Sequence, residues 1–239
     1  MEVPPVGRVE GKKEKIESMF DSIAHRYDLV NRLLSLGIDQ SWRRKAIAQI
    51  KPYKPREILD VATGTADLAI LAASLDPERI VGVDISEEML AFGRKKLIDR
   101  NLQDLISLQT GDAEDLPFDN DSFDAALVAF GVRNFENLDA GLGEIRRVIR
   151  PGGVLVILEF SRPRLFPMKQ AYSVYSKHVM PRVGGMVSGN SGAYTYLPSS
   201  VQEFPDGEDF LDYMRKAGFI DTECTRLTTG IASLYRGVA

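Results

Sequence analysis

The chain has 239 residues, 44% of them hydrophobic and 27% charged, which suits a globular fold with a sizeable core. A net charge of -4 lacks the basic footprint of a nucleic-acid binder, so no nucleic-acid partner is expected. The single cysteine, Cys224, excludes an internal disulfide and argues against a thiolate metal centre; no metal is expected.

Residues 1–11, with Pro4 and Pro5, read as a tail. They hold no secretory-type apolar run, and no stretch of about 18 apolar residues follows. The expected location is therefore the cytoplasm, with any lipid met peripherally. From Lys12 to Ile50 the pattern is helical: Ile16, Met19, Phe20 and Ile23 recur at three- and four-residue spacing. Pro52 and Pro55 close this region. Short apolar runs then alternate with helical patterns. Strands are predicted at Glu57–Val61, Arg79–Asp84, Ile106–Thr110, Phe123–Phe130 and Gly153–Glu159, and helices at Ala66–Leu75, Glu87–Arg100 and Leu138–Ile149. A helix at Met168–Val179 and a Gly- and Ser-rich stretch come next. A helix and two strands, Glu208–Lys216, Glu223–Leu227 and Ile231–Val238, end the chain. Strand-helix alternation implies right-handed crossovers. The expected fold is a doubly wound α/β, Rossmann-like one with a mostly parallel sheet of about seven strands. Residues 1–51 are expected to form a tail and helices over the cofactor site, and 52–239 the main domain, with an insertion at 160–205 for substrate and membrane contact.

Such sheets bind ligands at the carboxyl ends of their strands. The first strand enters Asp60-Val61-Ala62-Thr63-Gly64-Thr65-Ala66-Asp67, a turn of small residues that lets backbone approach a ligand. Asp84, 20 residues past Gly64, ends the second strand beside Ile85 and is placed to accept from a ribose diol. Gly111-Asp112-Ala113 follows the third; Asp112 can accept from an adenine amine, and the Ala113 N–H can reach a ring nitrogen. A dinucleotide site wants three spaced glycines facing a pyrophosphate. Here Gly64 stands alone between Asp60 and Asp67, acids that disfavour a pyrophosphate and favour a sulfonium with a free amino group. The candidate cofactor is S-adenosylmethionine, held by Asp60, Thr63, Gly64, Asp84, Ile85, Asp112 and Ala113. The alternative is that Asp60 and Asp67 merely end a strand and cap a helix.

Three further stretches carry a resemblance: Tyr27-Asp28-Leu29-Val30-Asn31-Arg32-Leu33-Leu34-Ser35-Leu36-Gly37 with Trp42-Arg43; Phe130-Gly131-Val132-Arg133-Asn134; and Arg147 to Gly153, continuing to Leu158-Glu159-Phe160-Ser161 and Tyr175 to Arg182. With them nearly the whole chain resembles the demethylmenaquinone and ubiquinone C-methyltransferase family, within the class I S-adenosylmethionine-dependent enzymes. Asp39 stands where the family usually has His, Ala66 where it often has Gly, and Ala129 where some members have Ser, so Asp39 and Ala129 are set aside as site residues. The resemblance implies methyl transfer to a ring carbon of a prenylated quinol, most simply demethylmenaquinol. A benzoquinol of ubiquinone synthesis and a soluble small molecule are the alternative acceptors; an RNA methyltransferase and a catalytically silent cofactor-binding module are the competing classes. A homodimer is compatible with the sequence.

Carbon methylation needs an electron-rich ring. A phenol of pKa about 10 is only about one part in a thousand ionised at neutral pH, a penalty of roughly 4 kcal/mol. Arg133 and Asn134, after the fourth strand, are the candidate catalytic pair: Asn134 to orient a hydroxyl or water, Arg133 to stabilise the phenolate. The alternative for Arg133 is an ion pair with an acid of the N-terminal helices. Tyr172, Tyr175 and His178 share a helical face and, with Arg182, are candidate substrate contacts; packed tyrosines and a carbonyl-bound histidine are the plainer reading. The segment from Phe160 to Gln202 holds no Asp or Glu, and its Arg162, Arg164 and Lys169 among apolar residues suggest a face for an anionic membrane.

Overall fold

The computed structural model describes residues 11–175 and 191–239. Among them, seven strands form one sheet: β1 (Glu57–Val61), β2 (Arg79–Asp84), β3 (Ile106–Thr110), β4 (Phe123–Ala129), β5 (Ile149–Phe160), β6 (Ile220–Leu227) and β7 (Ala232–Val238). Their order is β3-β2-β1-β4-β5-β7-β6. The first five run parallel, and β7 lies antiparallel between β5 and β6. This is the doubly wound, mostly parallel α/β fold expected. The helices are α1 (Lys12–Ile23), α2 (Tyr27–Leu34), α3 (Ile38–Ile50), α4 (Asp67–Ala72), α5 (Glu87–Asp99), α6 (Leu138–Val148), α7 (Met168–Val174), α8 (Ser191–Glu203) and α9 (Glu208–Lys216).

Buried strands read as nearly continuous apolar runs because helices cover both faces. Along β1 the side chains alternate. Leu59 and Val61 join a core with Leu142 and Ile145 of α6 and Phe210 and Met214 of α9. Ile58 joins the opposite core, with Trp42 and Ile47 of α3 and Leu68 and Ala69 of α4. Asp60, two residues on, shares the face of Ile58. Helix starts follow side-chain capping: Ser86 Oγ accepts from the Met89 N–H at α5, and Asn137 Oδ1 from Ala140 at α6.

Four elements differ from expectation: α8 occupies part of the Gly- and Ser-rich stretch read as irregular, β6 begins at Ile220 rather than Glu223, and the first crossover helix and fifth strand have other limits. The crossover helix predicted at Ala66–Leu75 begins at Asp67, because Ala66 is left-handed at φ 65 and cannot belong to a right-handed helix, and it ends in a 3-10 turn at Ala73–Leu75. The fifth strand starts at Ile149 rather than Gly153: Ile149 pairs with Phe123 ahead of an irregularity in the ladder. The helix predicted over Met168–Val179 is described as far as Val174, and His178 and Arg182 lie outside the described residues.

Candidate active site

The carboxyl ends of β1 and β4 are shaped by left-handed backbone: Ala62 (φ 53), Gly64 (φ 57), Ala66 (φ 65) and Phe130 (φ 61). Three of these four are not glycine, and such strain persists only where the surroundings enforce it, typically at ligand sites. Between the strand ends the backbones nearly touch, since a Cβ on Gly131 would stand 2.5 Å from Ala62 Cβ.

Two adjoining cavities open here. The smaller is lined by Gly64, Asp84, Ile85, Gly111, Asp112, Ala113, Glu114, Ala129 and Asn134, and closed on one side by Lys13, Ile16 and Phe20 of α1. The Asp84 carboxylate accepts from the Gly64 N–H (2.8 Å) and the Ser86 N–H (3.0 Å). These use two of about four acceptor positions, so a diol can take the others. Burial pushes the Asp84 carboxyl up, against the pull of those backbone N–H groups. Asp112 accepts from the Glu114 N–H (2.9 Å) and from Lys13 Nζ (2.6 Å). Helix α1 is held over the cavity at two more points, Lys12 Nζ to Phe135 O (2.7 Å) and Ser86 Oγ to Asp21 Oδ1 (2.6 Å).

Of the residues expected to hold the cofactor, Gly64, Asp84, Ile85, Asp112 and Ala113 line this cavity; Asp60 and Thr63 are not among its lining. Asp60 faces α4, accepting from Thr63 Oγ1 (2.6 Å) and the Ala69 N–H (3.1 Å), so both residues brace the turn from beneath. Asp67 is likewise turned to Lys96, 2.7 Å away, which also pairs with Asp28 of α2. The acids that do line the cavity are Asp84, Asp112 and Glu114, the last two paired with Lys13 at 2.6 and 3.0 Å. Burial lifts the Asp60 carboxyl to about 7 despite the Thr63 hydrogen bond, the Arg43 charge and the Ala69 N–H. A carboxyl raised in the folded state contributes stability that is fully present below the ordinary carboxylate range and is lost as pH rises through about 7. Urea denaturation should show up to about 4 kcal/mol lost between roughly pH 4 and 8 from this group. Asp60→Asn should remove that slope; an unchanged slope would assign it elsewhere.

The larger cavity, about 280 Å³, is mainly apolar. It is walled by Met19, Ile23, Leu34, Trp42, Phe160 and Met168, with Asp39, Arg43, Arg133, Tyr172, Tyr175 and Tyr196 among its polar groups. Phe20, Tyr27 and Phe130 line both cavities. Phe130 and Phe160 stack with centroids 4.4 Å apart, and Trp42 closes on both at 6.3 Å. Asn134 lines the smaller cavity and accepts from the Tyr196 hydroxyl (3.1 Å), whereas Arg133 faces the larger one. The Arg133 guanidinium is engaged through its Nε and Nη1. It donates to Glu159 Oε1 at 2.9 Å, to the Phe130 carbonyl and to Ser200 Oγ at 3.3 Å. The ion-pair alternative thus describes its contacts, with the acid on β5 rather than in the N-terminal helices. Tyr175 donates to the Leu34 carbonyl (2.6 Å), tying α7 to α2, and burial pushes the Tyr172 phenol up to about 12.

Sequence reasoning missed Lys13, Tyr27, Arg43, Glu159 and Tyr196 as site residues and set aside Asp39 and Ala129, all of which line these cavities or, for Glu159, anchor one wall. Glu159 carried a readable signal: an acid in the buried run Val154–Phe160 requires a cation. Tyr196 and Lys13 carried none.

The model of the ubiE/COQ5 methyltransferase family matches residues 8–239. A demethylmenaquinone methyltransferase of Bacteroides fragilis is 50% identical over 228 residues, covering 95% of this chain and 93% of its own. One of Deinococcus radiodurans is 47% identical, covering 98% and 96%. A ubiquinone/menaquinone biosynthesis C-methyltransferase of Geotalea daltonii is 47% identical, covering 95% and 97%. Among solved structures, a putative S-adenosyl-L-methionine-dependent methyltransferase from Methanococcus maripaludis has the same fold, with a TM-score of 0.63 at 19% identity over 97% of each chain. With the family model spanning residues 8–239, the chain belongs to the ubiE/COQ5 methyltransferase family.

Proposed function

We propose that this protein methylates a ring carbon of a prenylated quinol, demethylmenaquinol in the first place. The observation that carries this reading is the pair of cavities meeting at Phe20, Tyr27 and Phe130, one lined by the acids Asp84, Asp112 and Glu114, the other mainly apolar and aromatic. S-adenosylmethionine, when bound, supplies a methyl group on a sulfonium. Asp84 would hold its ribose and Asp112 with Ala113 its adenine, while the Gly64 and Gly131 backbones leave room for the rest. The larger cavity takes the acceptor. A cavity of about 150 Å³ accommodates benzene, so about 280 Å³ with a stacked aromatic wall has room for a larger planar ring. Transfer would bond the methyl to the ring carbon as the methyl–sulfur bond breaks, and the proton that the carbon carried would leave to solvent. Asn134, which lines the smaller cavity and accepts from Tyr196 of the larger one, would orient the acceptor hydroxyl. The test is mass spectrometry of the quinone pool in cells lacking the protein: accumulation of the demethyl quinone supports the reading, and an unchanged pool refutes it.

The reading includes docking on the membrane that holds the prenyl tail. Among the described residues, no helix is long and apolar enough to cross a bilayer. Exposed apolar side chains gather instead near the acceptor cavity: Leu29, Leu33 and Leu36 at α2, and Leu165, Phe166 and Val174 at α7. The basic face expected from the acid-free segment is altered by one residue beyond it. Buried Asp206 draws in Arg162 (3.2 Å), Arg164 (3.0 Å) and Arg226 (3.4 Å), so two of its arginines are structural clamps as well as surface charges. Charge reversal there would threaten the fold, and Leu165 and Phe166, 74% and 81% exposed, are the cleaner probes. Replacing both with serine should weaken binding to anionic vesicles at least tenfold and slow turnover of long-tailed substrate, sparing a short-tailed one. Equal loss on both substrates would make this loop part of the site wall.

A further inference from the structure

After β6 the backbone runs left-handed through three residues in succession, Thr228 (φ 45), Thr229 (φ 56) and Gly230 (φ 95). Two of them are β-branched, a type that rarely adopts this conformation. Both threonines are exposed, so burial of their own side chains does not account for the shape. The turn is held from outside. The wholly buried Ser161 donates its Oγ–H to the Gly230 carbonyl (2.8 Å) and its N–H to that of Ile231 (2.9 Å), and Ser233 Oγ donates to Ser161 Oγ (2.9 Å). From α3, 186 residues away in sequence, Trp42 donates its Nε1–H to Thr228 Oγ1 at 2.9 Å. Such strain persists where the surroundings over-determine it, and it gathers at ligand sites. Here Trp42, Thr228 and Ile231 all line the larger cavity.

Trp42 links the turn to the aromatic wall. Its ring centre lies 6.3 Å from those of both Phe130 and Phe160, edge-on to Phe160 (86°) and tilted against Phe130 (59°). The indole is 3% exposed, and its one polar side-chain atom is satisfied by Thr228. A buried indole N–H needs an acceptor, so the position of Thr228 Oγ1 selects one setting of the indole plane among those its side-chain torsions allow.

We propose that Thr228 is a positioning residue for the acceptor: through Trp42 it fixes the indole against the Phe130–Phe160 stack, and the fixed wall makes the cavity select a two-ring acceptor over a one-ring one. The proposal rests on the larger cavity being the acceptor site. A wall that cannot move discriminates by contact. A single ring in a space shaped for two forfeits packing on one side, whereas a freed indole closes on it.

Trp42 is the single tryptophan of the chain, so intrinsic fluorescence reports this one ring. The probes are 2,3-dimethyl-1,4-naphthoquinone and tetramethyl-1,4-benzoquinone, fully substituted quinones titrated against the full-length protein. In the wild type both should quench Trp42, the two-ring probe binding the more tightly. Thr228→Val keeps the branched shape and removes the hydrogen-bond acceptor. It should move Trp42 emission to longer wavelength, weaken the two-ring probe about three- to tenfold and narrow the gap between the probes. Thr228→Ser keeps the hydroxyl and should restore all three. Affinity for S-adenosylhomocysteine, by calorimetry, should hold in both. Trp42→Phe, followed by calorimetry, should also weaken the two-ring probe, and adding Thr228→Val to it should cost nothing more. Unchanged probe affinities in Thr228→Val, an equal loss of cofactor affinity, or additive losses in the double variant overturns the proposal. If Thr228→Val does not fold, Trp42→Phe decides, and wild-type selectivity there overturns it. Absence of Trp42 quenching in the wild type also counts against it. Turnover of demethylmenaquinol by the same wild-type sample tests the functional reading separately.

Discussion

Glu159→Ala is expected to cost about 3–5 kcal/mol of folding stability, the range for removing one partner of a buried ion pair. Glu159 is wholly buried, and its carboxylate accepts from Arg133 Nη1 (2.9 Å), the Arg133 N–H (3.3 Å) and the Phe160 N–H (2.8 Å). Truncation strands the guanidinium at 6% exposure and two N–H groups at the junction of β4 and β5. Burial pushes the Glu159 carboxyl up, against the pull of the Arg133 charge and of the two backbone N–H groups. Glu159→Gln keeps an acceptor for the N–H groups and should cost less, about 1–3 kcal/mol. Urea unfolding of both variants checks this. A loss below about 1 kcal/mol in the alanine variant would show that the wall is not braced by this pair.

Asp84→Ala is expected to weaken S-adenosylmethionine binding at least tenfold, and toward a thousandfold if both ribose hydroxyls are lost, at about 1.5–3 kcal/mol for each charge-assisted bond. The same carboxylate fixes the Gly64 and Ser86 N–H groups, so the turn loosens as well. Asp84→Asn retains the shape and one acceptor oxygen and should fall between. Because burial raises this carboxyl, affinity should decline on acidification at a higher pH than an ordinary carboxylate would give. Calorimetry with circular dichroism reads this; unchanged affinity with the fold intact would remove Asp84 from the site.

The sheet was legible because its central parallel strands are buried on both faces and read as apolar runs between turn residues. Strands β1 and β2 fall on their predicted limits for that reason, and the half-exposed edge strand β3 falls on its limits as well. Residues at strand ends were legible too: Asp84, Asp112 and Ala113 all reach one cavity. What failed was facing. Asp60 and Asp67 were read as acids beside the ligand, but the two-residue period of β1 turns Asp60 beneath α4, and Lys96 on α5 captures Asp67. Long-range pairing was also hidden. Nothing near Arg162 and Arg164 in sequence announces Asp206, and Asp39 looked like a departure from the family rather than a partner for Arg43 four residues on. Local periodicity carries elements and strand-end sites; it does not carry the ion pairs that tertiary closure creates.

The central claim, methylation at a ring carbon of a prenylated quinol, is tested most directly by incubating the purified protein with chemically reduced demethylmenaquinone in vesicles and isotope-labelled S-adenosylmethionine. Mass spectrometry and carbon NMR of the extracted quinone should show a single labelled methyl bonded to the quinone ring. Label found on oxygen, or no label in the quinone while the protein still binds the cofactor, would contradict it.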